Sequence, residues 1–196
     1  MVLKTKLSPL GGGNQAYKKD FVVFESSTPG TYTFEIKKAQ FEVTGSGGGS
    51  AGKHAWYGQV GGSAAAFKGI VQLEKGTLKI TVGTPGNGGN GSGRNAGPGT
   101  NGTATTVSVN GITLLTLGGG NGGGGTGNSS GANNGAGGTI TVSSKLKIIS
   151  TKIKTNGTAQ STVSILGNGF GAGGNIRGGT SGLPGTAGYI KIQFVK

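Results

Sequence analysis

Glycine fills 47 of the 196 positions, and much of it gathers in four tracts of about twenty residues each, 45–62, 83–102, 118–138 and 167–188. An average soluble domain carries roughly 7% glycine. A large helical core is excluded, because each glycine in a helix costs about 1 kcal/mol relative to alanine. Between the tracts lie runs rich in Val, Ile, Thr, Phe and Tyr with period-two alternation, which read as strands. They are 21–27, 31–45, 66–83, 103–118, 138–155, 161–167 and 188–196. Leu78, Ile80 and Val82 share one face of their run, as do Ile190, Ile192 and Phe194 of theirs. Lys145, Lys147, Lys152 and Lys154 sit opposite apolar neighbours in the same way. Pro29-Gly30, Asn110-Gly111 and Asn156-Gly157 supply turns between runs, the last two suited to tight hairpins.

Three readings compete for the tracts. Gly/Ser composition alone gives flexible linkers. Collagen requires an unbroken glycine at every third residue and abundant proline, and the five prolines exclude it. The third is a bundle of polyglycine-II helices with three residues per turn, in which glycine lets backbones approach closely. Registers of three occur at Gly83, Gly86 and Gly89 and again at Gly179, Gly182, Gly185 and Gly188. Long structureless loops are uncommon inside a compact domain, so the ordered bundle is favoured. The expected fold is mostly β, with antiparallel runs framing a polyglycine-II (PPII-type) bundle and clamping its ends, and essentially no α-helix. The expected repeat is a β-pair followed by a tract. Residues 1–20 form an N-terminal arm and 21–196 one glycine-rich domain.

Lysine and arginine number 18 against 5 acids, a formal charge of +13. All five acids, Asp20, Glu25, Glu35, Glu42 and Glu74, precede Lys75, and the chain from there on holds ten basic residues. Such a surface attracts anions, and charge of this kind also keeps a glycine-rich surface soluble. Two arginines and no recognised motif make nucleic acid an unfavoured partner. No window is apolar for the 18 or so residues of a membrane span, and the first ten residues lack the apolar stretch of a signal peptide.

Catalytic chemistry is poorly provided for. One histidine, His54, and one aspartate, Asp20, give no context for a triad. No carboxylate follows Glu74 to make a glycosidase pair. With no cysteine there is neither a disulfide scaffold nor a thiolate metal site, and no tract reads as a P-loop. The expectation is a protein without catalytic residues, metal or cofactor. The sharpest local feature is Gly52-Lys-His-Ala-Trp-Tyr-Gly58, which gathers His54, Trp56 and Tyr57 beside a lysine. Exposed aromatics next to basic groups suit stacking on sugars or bases; the alternative is that Trp56 and Tyr57 fill a small core. Arg94 and Phe170 are isolated bulky groups in later tracts, readable as loop-tip contacts or as anchors that close the bundle.

Three stretches resemble the glycine-rich domain at the tips of bacteriophage tail fibres, including the receptor-binding adhesins of T-even-type phages. Residues 30–52, beginning Gly-Thr-Tyr-Thr-Phe-Glu-Ile-Lys-Lys, resemble that family's entry run into its first tract. Residues 62–83 are similar to its middle hairpin, and residues 185–194, Gly-Thr-Ala-Gly-Tyr-Ile-Lys-Ile-Gln-Phe, to its closing strand. The resemblance implies a polyglycine-II bundle whose distal loops recognise an outer-membrane protein or anionic surface glycan, in a virion tail tip or otherwise outside the cell. Carried over, the receptor-binding candidates are His54, Trp56, Tyr57, Arg94 and Phe170. Residues 1–20 are shorter than the family's usual attachment domain. Leu3, Leu7, Leu10 and Tyr17 are therefore the candidates for capping another virion or fibre protein, or for self-association. The rivals are a structural fibre, matrix or capsid-decoration subunit and, with less support because of the charge, an ice-binding protein.

Overall fold

The computed structural model describes residues 20–50, 60–89, 97–123, 135–174 and 182–195. Its strands are β1 (Val22–Ser26), β2 (Gly30–Ile36), β3 (Ala39–Ser46), β4 (Ala66–Leu73), β5 (Gly76–Val82), β6 (Thr105–Val109), β7 (Ile112–Leu117), β8 (Ile140–Val142), β9 (Lys147–Thr155) and β10 (Tyr189–Phe194). They form two antiparallel five-stranded sheets, ordered β1-β10-β3-β4-β9 and β2-β5-β6-β7-β8. No helix occurs among the described residues.

The alternation in each run sends one set of apolar residues between the sheets. Phe41, Val43, Phe67, Val71, Ile190 and Ile192 from the first meet Leu78, Ile80, Val107, Leu115 and Leu117 from the second in one core. Phe24 of β1 joins the sheets through tilted ring contacts with Tyr32 and Phe34 of β2, at 4.8 and 5.1 Å.

Three long runs divide where the sequence shows continuity. Residues 31–45, 66–83 and 138–155 each break into two strands that belong to different sheets. Crossing corners at 37–38, 74–75 and 143–146 let one run serve both layers: two strands precede each glycine tract as expected, but only β6 and β7 pair with each other. Residues 161–167 form turns rather than a strand. Asn110-Gly111 makes the expected two-residue hairpin, with φ of 50° and 77°, between paired Val109 and Ile112. Asn156-Gly157 does not: it leads from β9 into a glycine segment, where the Gly157 amide donates to the Gly138 carbonyl.

The described glycine segments stand together at one end of the sandwich, where the strands hold the bundle. Their hydrogen bonding has the threefold repeat of polyglycine II. Along 47–50, Gly47 and Ser50 donate to the 62–65 segment, Gly48 donates to Thr103, and Gly49 donates to Thr186. Their carbonyls in turn accept from three further segments: Gly48 from Gly120, Gly49 from Gly86 and Ser50 from Gly174. Six different neighbours therefore surround residues 47–50, and all four are buried. The 61–65 segment repeats the pattern, with Gly61 and Ala64 donating to 171–174, Gly62 and Ala65 to 118–121, and Ser63 to Thr158. The two registers of three seen in the sequence are partners: Gly188, Gly185 and Gly182 donate to the Gly83, Gly86 and Gly89 carbonyls at 2.9, 3.1 and 3.2 Å.

Along 83–89 and 135–139 burial cycles through buried, exposed and half-buried with period three. Side chains such as Thr84, Asn87, Ala136 and Thr139 occupy the exposed positions, and glycines the buried ones. Isolated helices of this kind have no internal hydrogen bonds. Ordering each residue costs roughly 1–2 kcal/mol, and the lateral bonds offset that cost only when the segments pack together.

Candidate recognition end of the glycine bundle

The strand ends Ser46, Val82, Leu117 and Thr155 and the strand starts Ala66, Thr105, Ile140 and Tyr189 mark where the bundle meets the sheets. Counting outward from them, the far ends of the segments lie together. Ser50 accepts from Gly174, which also accepts from Gly61. Gly89 accepts from Gly182, and its Cα lies against the Gly97 carbonyl so closely that an added Cβ would sit 2.2 Å away. Gly123 accepts from Gly99, and Gly135 accepts from Gln160. The chain thus leaves and re-enters the bundle at one end at 50 and 60, 89 and 97, 123 and 135, and 174 and 182.

Between those points run residues 51–59, 90–96, 124–134 and 175–181. His54, Trp56, Tyr57 and Arg94 belong to these connections and lie outside the described residues, as do Leu3, Leu7, Leu10 and Tyr17 of the N-terminal arm. The described segments that carry the connections contain no ionisable side chain, and Ser50 and Ser63 turn their hydroxyls onto the Gly62 and Thr158 carbonyls. The charged residues of the four glycine tracts, Lys53, Arg94 and Arg177, all fall in the connections.

Phe170 sits at the other end. Its ring stacks on Tyr189 at the start of β10, with centroids 5.1 Å apart and planes 3° from parallel. Ser164 donates to its carbonyl at 2.6 Å, and its amide donates to Asn168 Oδ1. Of the two readings of Phe170, this geometry is that of an anchor, holding the 162–170 strap to the bundle's flank beside the sheets. Tyr189 is itself buried and donates its hydroxyl to Glu25 Oε1 at 2.7 Å. Burial first, and the adjoining Glu25 carboxylate second, push the Tyr189 phenol well above its ordinary value. The folded state therefore holds the neutral phenol, while the unfolded chain ionises it above about pH 10. Its stabilisation is complete below that pH and is lost as pH rises further. Denaturation midpoints of the native protein and Tyr189→Phe, compared between pH 9 and pH 11, are expected to show the steeper alkaline loss in the native protein. Equal slopes would mean that the Tyr189 hydroxyl is solvated.

The outer face of the second sheet carries a feature that sequence reading missed. Thr31, Thr81, Thr106, Thr116 and Thr141 lie side by side across all five strands, each paired in register with the next. A second row holds Thr33, Lys79, Ser108 and Thr113. Neighbouring hydroxyls satisfy one another, Thr31 with Thr81 at 3.2 Å and Ser108 with Thr113 at 3.2 Å. The alternate threonines are visible in each run, but their alignment depends on strand order. Glu35 and Lys79 are the charges on the strands of this face, and Glu35 accepts from the Thr77 hydroxyl.

Among the described residues no cluster of histidine and acidic side chains could hold a metal ion. Taken together, these observations define an all-β sandwich that bears a polyglycine-II bundle whose described segments end together at its far end. The chain belongs to a glycine-rich domain family, which matches residues 26–195. Comparison with curated proteins returns no match.

Proposed function

We propose that this chain is a non-enzymatic recognition protein of a phage tail tip, which binds the bacterial surface through the connections at the far end of its bundle. The observation that carries the reading is the convergence of eight chain ends on one face of a neutral, close-packed bundle. Binding loops are commonly carried on a rigid scaffold of this kind. His54, Trp56 and Tyr57 between Ser50 and Val60, and Arg94 between Gly89 and Gly97, are the groups suited to an outer-membrane protein or an anionic glycan. Leu3, Leu7, Leu10 and Tyr17 are the proposed contacts to a further virion or fibre protein. Self-assembly into a fibre is the less supported reading, because the longest free strand edge, β9, carries three lysines and two register irregularities, features that oppose edge-to-edge pairing.

Trp56→Ala combined with Tyr57→Ala tests the site. On a bacterial strain that adsorbs the labelled protein, the double variant is expected to bind at least about tenfold more weakly, the size of effect that aromatic anchors give. Its thermal unfolding should match that of the native chain. Undiminished adsorption would remove these residues from the recognition surface.

A further inference from the structure

Charge is sorted across the first sheet. Asp20 and Glu25 lie at its β1 edge, the latter in register with Lys191 of β10, and Glu42 lies on its central strand β3. The last two strands carry no acid: β4 holds Lys68, β9 holds Lys147, Lys152 and Lys154, and Lys145 stands in the corner before β9, while Glu74 in the corner after β4 is paired with Lys38. Lys152 reaches across β4 to Glu42 at 3.4 Å. Lys68, Lys145, Lys147 and Lys154 make no ion pair among the described residues.

The lysines also wrap the edge. Lys147 is in register with Gln72 on the outer face, whereas Lys154 is in register with Phe67, a core residue, and so lies on the other side of the strand. The register slips flank Ile149 and Lys152 and turn the strand between them. Edge protection accounts for lysines on β9. It does not call for Lys68, one strand in, whose diagonal neighbour on β3, Glu42, is already held by Lys152. The basic margin runs the nine residues of β9, about 30 Å at the usual rise per strand residue.

We propose that Lys68, Lys145, Lys147, Lys152 and Lys154 form a docking surface for a flexible acidic polysaccharide. The positive charge, unpaired among the described residues at all but Lys152, calls for a polyanion, and its distribution around an edge fits a chain that can bend over it. Nucleic acid is the poorer match. The described residues include no arginine, and the aromatic residue of β4, Phe67, is fully buried, so neither bidentate base contacts nor base stacking is provided. Lysines acting as mobile point charges suit a repeating anion without fixed geometry. This surface lies on the sheets and does not depend on the recognition role of the connections.

The probe is dextran sulfate, with neutral dextran and a short DNA duplex as comparisons, titrated against the full chain at several salt concentrations. Dextran sulfate is expected to bind, with log K falling linearly in log salt, and neutral dextran not to bind. Replacing all five lysines by glutamine should weaken binding at least about tenfold and reduce the salt slope by roughly 3 to 4. A variant with glutamine at Lys37, Lys38, Lys75, Lys79 and Lys191 loses the same charge elsewhere and should bind within about twofold of the native chain. Equal loss in the two variants would reduce the effect to net charge and overturn the proposal. Tighter binding to the duplex than to dextran sulfate would overturn it in favour of nucleic acid. Self-association lost only in the β9 variant would overturn it in favour of a second copy on this edge. Should the five-site variant not fold, Lys147→Gln with Lys154→Gln, both exposed, should give a proportionate part of the slope change. The Trp56→Ala, Tyr57→Ala variant should retain dextran sulfate binding, which separates this surface from the far end.

Discussion

Gly49→Ala is expected to remove about 4 kcal/mol or more of stability, enough to leave much of the chain unfolded or insoluble at ordinary temperature. Gly49 lies in the 47–50 segment with neighbours on every side, and a Cβ there would fall 1.8 Å from the Ala172 carbonyl oxygen and 2.4 Å from its carbon. The obstacle is backbone, so no rotamer change can relieve it. The segments must separate by more than an ångström, which strains the bonds from the Gly49 amide to Thr186 and from the Gly86 amide to the Gly49 carbonyl. Overpacking alone costs typically 1–3 kcal/mol, and each lost hydrogen bond adds about 1 kcal/mol. Gly111→Ala is the control. Gly111 has φ of +77° at the β6–β7 turn, with nothing within 4 Å of its added Cβ, so its cost is the left-handed strain of roughly 1–2 kcal/mol. Urea denaturation of the two variants measures the difference. If both cost the same, glycine would be serving chain conformation in the bundle rather than close approach, and the six-neighbour packing would be wrong.

That packing also explains how much could be read from the sequence. Alternation located the strand pairs and most core residues, because period two depends only on which face is buried: Leu78, Ile80, Ile190 and Ile192 were legible, and all are fully buried. Sheet membership was not. The corners at 37–38 and 74–75 are short polar interruptions inside continuous apolar patterns, and a strand destined for the opposite sheet looks the same along the chain. The threefold register at 83–89 was visible; its partner at 182–188 was visible too, but not their pairing, which is a contact across almost a hundred residues. Elsewhere the glycine register is broken because a bundle has an outside: Thr84, Asn87, Thr100 and Thr139 stand at exposed positions, where a side chain has room, and the Thr100 hydroxyl there accepts from the Asn87 amide. Small buried residues intrude as well. Ala64, Ala65 and Ala172 occupy interior places, so composition understates the regularity of the packing.

For the candidate site, composition singled out His54, Trp56 and Tyr57 as unusual side chains in a glycine context. What it could not supply was that the connections carrying such residues begin and end on one face. That follows only from the lateral hydrogen bonds, which set the relative heights of segments distant in sequence. Phe170 looked equivalent in sequence because it too is a lone aromatic amid glycine. The chain returns along the bundle's flank before it, and this places its ring on Tyr189 beside the sheets.

Thr105→Val should cost about 1–3 kcal/mol although it conserves shape. Thr105 stands where β6 meets the bundle and is fully buried. Its hydroxyl donates to the Ser46 carbonyl at 2.7 Å and accepts from the Gly83 amide at 3.0 Å. One side chain thus ties the end of β3 in the first sheet to the segment that follows β5 of the second. Valine leaves the Gly83 amide without its acceptor and takes one donor from the Ser46 carbonyl, and a buried unsatisfied group costs roughly 1–3 kcal/mol. The neighbouring Ser46→Ala is the informative opposite. Ser46 is also buried, yet its hydroxyl has no hydrogen-bond partner among the described residues. Removing it withdraws an uncompensated polar group, so the variant is expected to match or exceed native stability by up to about 1 kcal/mol. Two polar-to-apolar changes at one junction therefore carry opposite signs, because one hydroxyl completes backbone groups and the other does not. Chemical denaturation of the two single variants reads the contrast directly. A Thr105→Val cost below about 1 kcal/mol would mean that water reaches the junction and that the sheets and the bundle are not joined in a continuous interior.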